Sequence, residues 1–155
     1  MDTIIKTDNT YRDHLIELGI NLNPTHWVTL NLHRDSSLEN ALRHLKRWRV
    51  EILRRLFGQR FFKLSESELI EFVGCPEHSL AGHPHFHFVC RVPAAVASKF
   101  KRIAADRWKA IVPSGSSDIQ LIDEQPDSVR RLMSYATKRI DANSALPFVH
   151  SHLLH

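Results

Sequence analysis

The chain has 155 residues, of which 43% are hydrophobic and 25% charged, and its formal net charge is +4. That composition excludes a disordered or fibrous chain. No apolar run reaches the ~20 residues of a membrane span, and the opening MDTIIKTDNT lacks the apolar block of a secretory leader. Cys75 and Cys90 form neither a CxxC pair nor a disulfide framework, which points to the reducing cytoplasm. The basic balance suits a polyanionic partner, nucleic acid first, although on charge alone a basic protein with no such partner is the simpler account. The length suits one domain over residues 1–155, with a core at about 26–140 and flanking segments 1–25 and 141–155.

YRDHLIELGI (11–20) is predicted as a short helix ending near Gly19. HWVTLNLH (26–33) alternates and is rich in strand formers, so it is the first expected strand. Ser36 and Glu39 have capping-box spacing and open a helix to about Phe57. Leu38, Leu42, Leu45, Trp48, Ile52 and Leu56 make its apolar stripe, and six Lys and Arg residues cover the rest. ELIEFVG (68–74) and HPHFHFVCRV (83–92) are predicted as two strands of a hairpin around the turn-like CPEHSLAG. Pro93 opens a helix to about Ala110, with Val96, Phe100, Ile103, Ala104 and Trp108 on one stripe. PSGSS breaks it, DIQLID (118–123) is a short strand, and Pro126 starts a last helix through Ile140.

This order, β-α-β-β-α-β with an extra helix, predicts an α+β chain. The plan is the ferredoxin-like split βαβ sheet, antiparallel, with helices on one face and the other face open. Alternate strand residues share a face. Val28, Leu30, Leu32, Phe86 and Phe88 would therefore face the helices. Trp27, Thr29 and Asn31 would lie on the open face with His83, His85 and His87, where they could contact DNA.

Two imidazoles at i and i+2 on a strand can converge on one divalent ion. Imidazole binds metal when neutral, as a pKa near 6.5 allows. A solvated strand face is the plainer alternative, so a third ligand matters. Glu71, in the preceding strand, would stand opposite Pro84 and His85 if the hairpin centres on a 74–82 turn. Glu77 is nearer in sequence but falls in that turn. Glu71 is favoured because strands hold ligands better than loops do. Two imidazoles and a carboxylate suit Mn²⁺ or Mg²⁺ with open positions, not a closed zinc site. His83 is either a further imidazole or a DNA contact. The C-terminal HSHLLH repeats the pattern at an expected frayed end, where metal binding would be adventitious.

Of the two tyrosines, Tyr135 falls about 120° from the stripe Val129–Leu132–Met133–Ala136–Ile140 at 100° per residue. Arg131 and Lys138 share its side. A half-exposed helix tyrosine is common, but beside a metal site and two cations it becomes chemical. A phenolate can attack a phosphodiester to give a phosphotyrosine, and Lys138 can neutralise the developing charge. Tyr11 has no such neighbours. Arg130, Arg131, Lys138 and Arg139 would make nucleic-acid affinity largely electrostatic. The basic helix 38–57 should lie behind the sheet, either adding to that affinity or remaining a solvated face.

Three segments together resemble one family. WVTLNL (27–32) resembles the first motif of rolling-circle replication initiators, GHPHFHFVC their metal-binding second motif, and YATK (135–138) their third, Tyr-x-x-Lys. The family is the HUH endonucleases, and the resemblance spans residues 26–140. It implies metal-dependent, sequence- or hairpin-specific nicking and rejoining of single-stranded DNA, through a tyrosine linked to the 5′-phosphate with a free 3′-OH left behind. On that resemblance His85 and His87 are ligands, Tyr135 is the nucleophile and Lys138 assists it. The single tyrosine in the third motif excludes a two-tyrosine mechanism, and the missing P-loop leaves any helicase to the host or another protein. The implied role is initiation of plasmid or phage replication at an origin strand or hairpin. A single-tyrosine HUH transposase shares the chemistry and differs in its substrate, a transposon end. A non-catalytic single-strand binder is the third reading, but such a sheet wants stacking aromatics, and here only Trp27 is offered.

Overall fold

The computed structural model describes residues 10–78, 82–139 and 148–154. Five strands form one antiparallel sheet in the order β4-β1-β3-β2-β5. They are β1 (His26–Asn31), β2 (Glu71–His78), β3 (Pro84–Arg91), β4 (Ser116–Leu121) and β5 (Val149–His150). The helices are α1 (Thr10–Asn21), α2 (Leu38–Phe57), α3 (Ala94–Ile111) and α4 (Ser128–Ala136). The inner order β4-β1-β3-β2 and the sequence β1-α2-β2-β3-α3-β4 are those of the ferredoxin-like split sheet.

Helices α2 and α3 cover one face. Val28, Leu30, Leu32, Phe86, Phe88 and Cys90 of the strands meet Leu45, Trp48, Ile52, Phe100, Ala104 and Trp108 there, and the cluster is buried throughout. Trp48 satisfies its indole N–H by donating to the Ala104 carbonyl at 2.9 Å, and Trp108 donates to the Asn31 carbonyl at 3.0 Å. Both rings can therefore lie at the centre of the core without an orphaned donor. The cap of α2 is Ser37, not Ser36. The Ser37 hydroxyl accepts from the Asn40 N–H at 3.1 Å, while Glu39 is turned to Arg43.

The second face is not wholly open. Val73, Val89 and Cys75 are apolar and need cover, and α1 and α4 supply it through Leu15, Ile16 and Met133. Gly19 does not end α1. It is the crossing point with α4, where a Cβ would stand 2.5 Å from Met133 Cγ. The expected helix 126–140 is shorter, ending at Ala136, where the buried Thr137 hydroxyl donates to the Met133 carbonyl at 2.6 Å. Ile140, its expected end, lies outside the described residues.

β2 runs on to His78 through Pro76, a residue that reads as a turn. Along the outer edge of β2, among the described residues, only Val73 and Gly74 pair with β5, so the proline's missing N–H costs no ladder bond. Gly74 lies opposite Phe88. A side chain there would collide with the His87 carbonyl oxygen and with Phe88. Gly74→Ala should destabilise the protein by about 2–3 kcal/mol or more, read as a lower urea midpoint at unchanged slope.

The C-terminal segment is not frayed through His150–Leu154. β5 lies on the edge of β2, and the buried Ser151 hydroxyl accepts from the Phe72 N–H at 3.2 Å. His155 lies outside the described residues.

Candidate metal and nucleophile site

β3 turns Phe86 and Phe88 into the main core, so His85 and His87 emerge on the opposite face. In register, β1 sets Asn31 beside His85, Thr29 beside His87 and Trp27 beside Val89. β2 sets Glu77 opposite His85 and Cys75 opposite His87. Glu77 Oε2 stands 3.4 Å from His85 Nε2 and 3.3 Å from His87 Nε2. One ligand atom from each of the three residues lies within 4.8 Å of the others. Among the described residues this is the group able to hold a metal ion.

Glu71, the favoured third ligand, is elsewhere. It pairs in register with Arg91, and Glu71 Oε1 is 2.9 Å from Arg91 Nη2. The expected register was wrong because the hairpin turns beyond His78, six residues later than the pairing that would bring Glu71 to His85. Glu77, the alternative, thus stands on a strand and not in a turn. His83 precedes the strand, and its Nε2 lies 3.6 Å from Asp35 Oδ1, so it is no third imidazole of this cluster. His150 and His152 stack on each other at 4.5 Å on the far edge of the sheet, with His152 facing Glu66 and Glu71.

The supporting contacts fit a metal. His87 Nδ1 is 3.0 Å from Thr29 Oγ1, and His85 Nδ1 is 3.4 Å from the His83 carbonyl. A neutral ring with its proton on Nδ1 presents the Nε2 lone pair to the cluster, and such second contacts fix ring orientation at metal sites. Glu77 divides its work between two oxygens. Oε1 accepts from Arg139 Nε at 2.7 Å and lies 3.5 Å from Lys138 Nζ, while Oε2 faces the imidazoles. Burial alone would raise its pKa, but Arg139, Lys138 and the two histidines more than offset this and hold it ionised. Burial, with His85 adding to it, depresses His87 to about 4.

The His87 shift predicts a pH effect on the metal-free protein. Between about 4 and 6.5 the unfolded chain takes up a proton that folded His87 refuses. Stability therefore falls as pH drops through that window, by on the order of 3 kcal/mol. Urea melts at stepped pH would read this, and His87→Gln should flatten the slope.

Tyr135 lies in the last turn of α4, 48% exposed, with its ring edge-on to His87 at 5.3 Å and to Trp27 at 6.3 Å. Trp27 stacks on His87 with planes 2° apart. Lys138 Nζ sits 3.8 Å from the centre of the Tyr135 ring. The helix end is clamped from α1: Arg12 donates to the Ser134 carbonyl at 3.0 Å and to the Thr137 hydroxyl at 3.2 Å. No local sequence signal marks Arg12, since its partners lie more than a hundred residues away. Arg131 is turned to the Ser128 hydroxyl, 3.1 Å away, and lines a cavity of about 180 Å³ with Trp27, Gln120 and Asp123. The Asn31 amide oxygen accepts from the His33 N–H at 2.7 Å and shapes the turn after β1.

The site thus assembles a half-exposed phenol, a cation over its ring and a three-ligand cluster in one patch. Among the described residues, no helix is long and apolar enough to cross a membrane. The fold is similar to that of the hypothetical protein ORF119 from Sulfolobus islandicus rod-shaped virus 1, with a TM-score of 0.50 at 12% identity, over 81% of this chain and 90% of that one. A search of curated proteins gives no match. The family model described as replication-associated protein, ORF2 type, matches residues 25–140. That span holds Trp27, Glu77, His85, His87, Tyr135 and Lys138, and the chain belongs to this replication-associated protein family.

Proposed function

We propose that the protein is an HUH-type nickase that cuts and rejoins single-stranded DNA through Tyr135 and so initiates rolling-circle replication of a plasmid or phage. The observation that carries this reading is the packing of Tyr135 edge-on against His87, a member of the Glu77–His85–His87 group. The replication-associated family supports an initiator over a transposase. The donor set of two nitrogens and one oxygen fits Mn²⁺ or Mg²⁺.

When bound, the divalent ion supplies charge to polarise the scissile phosphate. The protein does the rest. Tyr135 Oη attacks the phosphorus and gives up its proton to solvent. The bond from phosphorus to the 3′ oxygen breaks, and the electron pair leaves with that oxygen, which takes a proton and becomes the free 3′-OH. The 5′-phosphate stays on Tyr135. Attack by a 3′-OH reverses the step and rejoins the ends. A phenol titrates near pH 10, and Lys138 over the ring favours its ionised form. Thr29 and Glu77 hold the imidazoles in place. Trp27 offers a face on which a flanking base can stack.

The test is cleavage of labelled origin-like single strands. Cleavage with Mn²⁺ that stops with a chelator supports the reading. Cleavage unchanged by the chelator counts against it, as does none across a varied strand set.

A further inference from the structure

The charge of this chain is unevenly placed. α2 and α3 hold eleven of the 21 Lys and Arg residues but only three of the 17 Asp and Glu residues. That layer carries +8, leaving ten basic against fourteen acidic residues, or −4, for the rest of the chain. The excess thus lies behind the sheet, on the face opposite Tyr135 and the histidines. Any account that confines nucleic acid to the site face leaves it unexplained.

The charges are ordered. At 100° per residue Arg43, Arg47 and Arg54 fall within about 40° of one another on α2, along about 17 Å of axis. They point away from the buried Leu45, Trp48 and Ile52. On α3, Arg102 and Lys109 fall within about 20° of each other, opposite the buried Phe100, Ala104 and Trp108. All five are exposed. The two glutamates of α2 are taken up by Arg43, Arg47 and Arg107. The same field reaches His44: burial lowers its pKa, and Arg34 and Arg47 lower it further.

We propose that the outer face of α2 and α3 is a second DNA surface, which takes the phosphate backbone of a duplex while the site face takes the single strand. This goes beyond nicking and does not depend on it. Three features favour a duplex. Its backbone carries one charge per ~1.7 Å of axis, the denser match to a charged helical layer. A single strand wants stacking aromatics, whereas Trp48, Phe100 and Trp108 on these helices are buried and Phe57 packs on the core. A membrane surface wants an apolar helix face to insert, and here those faces are spent on the sheet. The contact reads no sequence and serves to position the protein on origin DNA beside the strand to be cut.

The test uses the full chain with Lys46→Glu, Arg54→Glu and Arg102→Glu combined. The probes are a blunt duplex two helical turns long, a short single strand, and vesicles containing phosphatidylserine. Circular dichroism and urea melts check that the variant folds. The wild type should bind the duplex, and the variant should lose roughly tenfold or more in affinity, with a log–log salt slope shallower by about 2.7 for three lost phosphate contacts. Cleavage of the short single strand should be unchanged, and Tyr135→Phe should leave duplex binding intact, so failure of the nicking reading stays separate. Equal duplex affinity in wild type and variant would overturn the proposal. So would binding to vesicles without binding to duplex.

Discussion

Tyr135→Phe should abolish the covalent protein–DNA adduct completely while leaving Mn²⁺ binding and single-strand binding in place. The substitution removes one oxygen from a residue that is 48% exposed and whose contacts to His87 and Trp27 are ring contacts. Phenylalanine keeps those contacts and its face toward Lys138, so fold and stability should hardly change. What disappears is the nucleophile, and no neighbouring group replaces it. Tyr11 packs against Phe148 at 6.1 Å, and burial and the Cys75 thiol both push its pKa up. Tyr11→Phe should therefore retain the adduct. An adduct surviving Tyr135→Phe would move the chemistry to another residue.

The second large effect is at Glu77. Glu77→Ala removes a ligand and also strips the counter-charge from Lys138 and Arg139. Changes to residues that merely support a ligand cost 10–100-fold in metal affinity, so loss of Glu77 itself should exceed about 100-fold by titration calorimetry with Mn²⁺. Glu71→Ala should leave Mn²⁺ affinity unchanged, because Glu71 is bound to Arg91 beyond reach of the imidazoles. It should instead lower stability, since it strips Arg91 of a half-buried partner. The reverse pattern, with Glu71 needed and Glu77 dispensable, would contradict the register of β2 against β3.

The two periodicities carried most of the fold. Alternation in 26–33 and 83–92 separated Val28, Leu30, Phe86 and Phe88 from Thr29, His85 and His87, and the structure keeps that division. Helical spacing placed Trp48 and Trp108 in the core, and both are fully buried. The tyrosine, the lysine and the two strand histidines were legible because each is a local pattern. The third member of the cluster was not. Strand register depends on where a hairpin turns, and Pro76 and Gly74 mark the wrong place. Proline is tolerated there because β2 is nearly an edge, and Gly74 is needed because the His87 backbone passes close by. Neither circumstance is written in the local sequence. The cover on the second face was half foreseen. The extra helix was expected there, but the part of α1 depends on Ile16 meeting Val73, Val89 and Met133, contacts that chain order does not reveal. Arg12 on Ser134 and Thr137 belongs to the same class of long-range contact.

The central claim is that Tyr135 forms the bond to DNA. The most direct measurement is mass spectrometry of peptides from the wild-type protein after reaction with a single-stranded origin oligonucleotide and Mn²⁺, nuclease trimming and proteolysis. The account predicts one modified peptide, containing SYATK, with a 5′-nucleotide joined through phosphate to Tyr135. A nucleotide carried by any other residue, or cleaved DNA with no modified peptide, would contradict it.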